Sequence, residues 1–68
     1  MNMEGFGARL RAARLAKGLF QADVAKQLCI SRSAYTKYEI EAAQPSLDAL
    51  CQLADLLDVT TSFLLGQD

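Results

Sequence analysis

Arg32, Ser33, Thr36 and Lys37 lie close together in a segment whose apolar positions are Ala34, Tyr35 and Tyr38. At helical spacing the apolar three gather on one side and the polar four on the other. Two cations and two hydroxyls on one face are hydrogen-bond donors able to hold anionic groups. They include no acid, base or nucleophile suited to making or breaking bonds. The rest of the chain supplies none either: it has no histidine, no glycine-rich phosphate loop, and no cysteine with an evident base. The expectation is a binding protein rather than an enzyme, with no small-molecule substrate and no cofactor. Without histidine, and with only Cys29 and Cys51 as soft ligands, no metal site is expected.

The overall charge of −1 conceals two opposite halves. All seven basic residues (Arg9, Arg11, Arg14, Lys17, Lys26, Arg32, Lys37) fall within residues 1–38, against two acids, Glu4 and Asp23. Residues 39–68 carry six acids and no base. A basic face able to neutralise phosphates is a local requirement, so a near-zero total does not exclude one.

Several elements must position that face. Phe6, Leu10 and Ala13 repeat at helical spacing up to Lys17-Gly18, where a glycine can end a first helix. Val24, Ala25 and Leu28 mark a second, over about 21–28. Ser31 is placed to cap a third helix running to about Glu39, which leaves Cys29-Ile30 as a tight turn. After Pro45, Ser46 caps a fourth helix, on which Leu47, Leu50, Cys51, Ala54 and Leu57 form an apolar stripe beside Leu53 and Leu56. Thr60 caps a last short helix through Phe63, Leu64 and Leu65, ended by Gly66. Strand signals are absent. The reading is an all-α, five-helix chain forming a single domain over residues 1–68, large enough to bury about 60% of its unfolded surface.

No apolar run approaches the ~20 residues of a membrane span, and the start lacks the features of a signal peptide. A cytoplasmic protein with no membrane partner is expected, with both cysteines as free, packed thiols.

Two short helices joined by a tight turn make a unit whose second helix can enter a groove about 12 Å wide while the first crosses the backbone. Residues 21–40 have the spacing for it: Ala25 is small where the helices cross, and Val24, Leu28, Ile30, Tyr35 and Tyr38 fill the space beneath. Together with Arg9-Leu10-Arg11, Arg14, Lys17-Gly18-Leu19, Gln21, Ile30-Ser31-Arg32-Ser33-Ala34-Tyr35, Lys37-Tyr38-Glu39, Pro45-Ser46-Leu47, Leu53-Ala54, Val59 and Leu64-Leu65-Gly66, the chain resembles the phage-repressor-like, or XRE, helix-turn-helix family.

The resemblance implies a lambda-repressor-like DNA-binding domain and a transcriptional regulator of bacterial or phage type. It would act as a repressor, binding double-stranded DNA as a homodimer on a palindromic operator. It places Arg32, Ser33 and Lys37 at base edges, with a guanine expected in each half-site. It also implies that Gln21 holds a phosphate and steadies Arg32; Ser31, Thr36 and Lys17 join it as backbone contacts. Finally, it pairs Arg14 with Glu39. From the residues alone, Arg14 follows Leu10 by one helical turn on a packed face and needs a partner.

Departures from the family pattern carry consequences. Phe20 cannot cap the second helix, and Cys29 holds a turn position usually taken by glycine. Ile40 and Glu41 replace a polar residue and a glycine, so a third helix running on past Glu39 would set Glu41 against DNA. The loop Ala42-Ala43-Gln44 has no cation to grip phosphate. Such a chain could also serve as a protein-interaction module that keeps the fold and loses DNA. Phe63 is the residue expected to be exposed and to contribute to a dimer surface.

Overall fold

Three hydroxyl side chains start three of the helices. Ser31 Oγ accepts from the Ala34 N–H at 3.0 Å, Ser46 Oγ from Ala49 at 3.1 Å and Thr60 Oγ1 from Phe63 at 2.9 Å. The computed structural model describes residues 4–67, and these form α1 (Phe6–Ala16), α2 (Gln21–Gln27), α3 (Arg32–Glu39), α4 (Leu47–Leu57) and α5 (Thr61–Leu64), with no strand. Phe20 has no oxygen to offer α2. The Asp23 carboxylate instead accepts from the Phe20 N–H at 2.8 Å, the half of a capping box that does not need a cap side chain.

All five helices end in the same way, with one backbone bond spanning five residues and a second, shorter one nested inside it. In α2 these are Ile30 N–H to the Ala25 carbonyl and Cys29 N–H to Lys26, at 3.0 and 3.1 Å. Gly18 and Gly66 supply the required positive φ for α1 and α5, but Cys29, Glu41 and Asp58 adopt it at φ 57, 61 and 61. Glu41 therefore stops α3 at Glu39, and the helix does not run on. Ala42 N–H closes the end by donating to the Lys37 carbonyl at 2.8 Å.

The left-handed conformation costs a non-glycine residue about 1–2 kcal/mol, partly offset by the freedom a glycine gives the unfolded chain. Because Cys29 is exposed, Cys29→Gly loses little packing. It should stabilise by up to about 1 kcal/mol, a rise in melting temperature of roughly 4–8 °C under reducing conditions.

One core joins all five helices: Phe6, Leu10 and Ala13 from α1, Val24 and Ala25 from α2, Tyr35 from α3, Leu50, Leu53, Ala54 and Leu57 from α4, and Leu64 from α5. Leu28, Ile30 and Tyr38 pack at its edge, Tyr38 meeting Tyr35 edge-to-face at 6.3 Å.

Three apolar expectations fail. Leu47, in the first turn of α4, is 75% exposed. Cys51 lies roughly 100° round the helix from the buried Leu50, so it too faces solvent. Both cysteines are free, but neither is packed. Phe63 is half-buried against the core rather than exposed, because α5 packs on both α1 and α4. Arg9 ties the same corner together, its Nε donating to the Leu64 carbonyl at 2.9 Å.

Candidate nucleic-acid interface

The exposed face of α3 depends on what holds its other side. Tyr35 is fully buried, and its hydroxyl donates to Glu39 Oε2 at 2.5 Å. The same carboxylate receives Arg14 from α1, through Nε at 2.6 Å and Nη2 at 3.2 Å, and Gln21 Nε2 from α2 at 3.0 Å. Arg14 Nη1 donates further to the Leu19 carbonyl at 2.9 Å. One carboxylate thus gathers donors from α1, α2 and α3, which fixes the rotation of α3 about its own axis.

Burial pushes the Glu39 carboxyl up, but hydrogen bonds from Arg14, Tyr35 and Gln21, with the Arg14 charge, outweigh it and leave it below the ordinary value. The bond to Glu39 chiefly raises Arg14, against burial. Burial first, and then Glu39, raise the Tyr35 hydroxyl, which stays a donor. The ion pair is thereby kept charged, and among the described residues no buried side-chain polar atom lacks a partner.

On the outer side Arg32, Ser33 and Lys37 are exposed and make no side-chain hydrogen bond or ion pair with the described residues. With Gln21, Thr36 and Ile40 they line one open groove. A second groove, between α2 and α3, is lined by Arg14, Phe20, Gln21, Ala22, Asp23 and Arg32.

The other candidate residues are placed as follows. Gln21 touches both grooves, but its side chain is held by Glu39 and Thr36 rather than by Arg32. Thr36 is half-buried, its Oγ1 lying 2.9 Å from both Gln21 Oε1 and the Arg32 carbonyl oxygen, the two acceptors that its single hydroxyl hydrogen serves. Ser31 is exposed at the cap of α3. Lys17 stands apart, lining neither groove, with its ammonium 3.8 Å from Asp58 Oδ2 at the end of α4.

Two features where α1 meets the end of α3 escape sequence reasoning. Gly7 N–H donates to Glu41 Oε2 at 3.1 Å, so this carboxylate serves the first turn of α1, which lacks a capping side chain of its own. Gly7 itself lies against the backbone of Glu39. A glycine inside the periodic α1 pattern was the available signal. Among the described residues no cluster of His, Cys, Asp and Glu could hold a metal ion, and no helix is long and apolar enough to cross a membrane.

Comparison with known proteins takes in most of the chain. The family profile described as helix-turn-helix matches residues 10–64. The chain is 47% identical over 60 residues to the SPbeta prophage-derived uncharacterized HTH-type transcriptional regulator YonR of Bacillus subtilis (strain 168), covering 88% of this chain and 56% of that protein. From the same organism, the HTH-type transcriptional regulator ImmR is 37% identical over 62 residues, 91% of this chain and 49% of its own. The regulator AnsR is 42% identical over 60 residues, 88% and 52%. The chain spans about half the length of these curated relatives, and no solved structure gives a significant match to it. With a profile match over residues 10–64, carrying both helices of the α2–α3 unit and the Arg14–Glu39 pair behind it, the chain belongs to the helix-turn-helix family of XRE type.

Proposed function

We propose that the chain is a sequence-specific DNA-binding transcriptional regulator, acting as a repressor in the cytoplasm by setting α3 in the major groove. The observation that carries this reading is the contrast between the two sides of α3: one locked by Glu39, the other presenting Arg32, Ser33 and Lys37 exposed and without a side-chain partner among the described residues. A rigid helix with free donors on one face suits the reading of base edges, and Arg and Lys match the N7 and O6 acceptors of guanine. The names of the relatives, HTH-type transcriptional regulators, support the same reading.

Phosphate contacts follow from donors left over. Gln21 Nε2 carries two hydrogens and gives one to Glu39, keeping the other for a phosphate. Ser31 uses its oxygen as an acceptor for the cap and retains its hydroxyl hydrogen. Thr36 can donate to a phosphate only by giving up a bond inside the protein. Lys17 is held by an exposed ion pair of little strength, which a phosphate can replace. A homodimer on a palindromic operator accommodates one α3 per half-site.

The test is binding to duplexes selected from a random pool at fixed salt. Arg32→Ala and Lys37→Ala should each weaken binding by about 5–150-fold per contact, the ~1–3 kcal/mol of a good base contact, and relax the preference for guanine. Indifference to both substitutions would favour a protein-interaction module of the same fold. The exposed acids Asp48, Asp55 and Asp58 would then form its binding surface.

A further inference from the structure

Ile40 follows Lys37 by three residues, Thr36 by four and Ser33 by seven, so it continues their stripe at the end of α3. Ile40 is 67% exposed and lines the same groove as Arg32, Ser33 and Lys37. The other exposed large apolar residues, Leu15, Phe20 and Leu47, do not line that groove. Exposure of a single isoleucine means little by itself; its place among the groove-facing donors is what matters.

The edges of base pairs in the major groove offer hydrogen-bonding atoms and one apolar feature, the C5-methyl group of thymine. We propose that Ile40 is a specificity-determining residue that packs against a thymine methyl beyond the base read by Lys37. Three residues of helix advance about 4.5 Å, close to the ~3.4 Å step between stacked bases, so the neighbouring base pair lies within its reach. At 67% exposure, most of Ile40 is left uncovered by the described residues. The assignment rests on the DNA-reading function proposed above.

The experiment selects duplexes from one random pool of unmodified synthetic DNA, using the wild-type chain and Ile40→Ala side by side. Circular dichroism checks that the variant is folded. The wild-type consensus should contain a thymine that Ile40→Ala loses while the guanine positions persist. Replacing that thymine by uracil, which removes only the methyl, should weaken wild-type binding about fourfold, the ~0.8 kcal/mol of one buried methyl group, and leave Ile40→Ala unchanged. An identical consensus for both proteins, or equal sensitivity to uracil, overturns the assignment to Ile40 while leaving DNA reading intact. Failure of both proteins to enrich any sequence rejects the DNA reading, and the Ile40 contact with it.

Discussion

Arg14→Ala is expected to destabilise the fold by about 3–5 kcal/mol, the cost of removing one partner from a buried ion pair. The side chains of Arg14 and Glu39 are 8% and 3% exposed, so water does not replace the lost partner. A chain of this size has roughly 3–10 kcal/mol to lose, so the variant should be largely unfolded at physiological temperature. At about 4–8 °C per kcal/mol, the melting temperature should fall by tens of degrees. Glu39→Ala should be comparably damaging, since it strands Arg14, Tyr35 and Gln21 together. The double variant Arg14→Ala/Glu39→Ala should lose less than the sum, because neither charge is then left alone. An unchanged melting temperature for Arg14→Ala would refute the structural role of the pair.

The same pair makes a statement about pH. Glu39 is held below the ordinary carboxyl value in the folded chain, so the folded state takes up this proton less readily than the unfolded one. Its contribution is complete above the unfolded value, about 4.3, and disappears as pH falls through the folded value. Glu39→Gln should therefore be less stable than the wild type near neutral pH, with the difference narrowing towards strongly acidic pH. Thermal melts of both proteins across that range would check it.

Helix positions are legible in this sequence because their signals are local. Ser31, Ser46 and Thr60 cap within three residues, and Lys17-Gly18 ends α1 within one turn. The side of α3 carrying Arg32, Ser33 and Lys37 is legible for the same reason: helical spacing separates it from Tyr35 and Tyr38. Coverage is not local. Periodicity puts Leu47 and Cys51 near the apolar stripe of α4 and says nothing of whether another element reaches them; none buries them. Phe63 errs in the opposite direction, since the packing that half-buries it comes from α1 and α4.

The polar network behind the site is hidden for a related reason. Glu39 meets Arg14 across 25 residues and Gln21 across 18, separations at which residue type suggests a bond but cannot choose the partner. Family resemblance supplied the Arg14–Glu39 pairing. It did not supply the Tyr35 hydroxyl, or the link from Thr36 through Gln21 to Glu39. Glu41 shows the limit most clearly. Its sequence position suggests helix continuation and repulsion of DNA, yet it takes a left-handed turn and lends its carboxylate to α1.

Gly7→Ala is expected to destabilise by about 2–4 kcal/mol, against the ordinary preference of helices for alanine. Gly7 is buried in the first turn of α1, where an added Cβ would run into the carbonyl oxygen of Glu39, with that carbonyl carbon at 2.8 Å and Glu41 Cγ at 3.1 Å. The nearest obstacles are backbone, which no rotamer change moves aside. The start of α1 must therefore lift from the end of α3, stretching the Gly7 N–H bond to Glu41 and straining the Arg14–Glu39 pair farther along the same two helices. Ala8, the exposed neighbour of Gly7, provides the control: Ala8→Gly should cost about 1 kcal/mol, as at an ordinary helical site. Opposite signs for glycine-to-alanine at adjacent positions would locate the effect in the α1–α3 contact rather than in helix propensity. Equal or greater stability for Gly7→Ala, measured by chemical denaturation, would show that the two helices separate at no cost. The rotation of α3 would then have to be held by the Glu39 network alone.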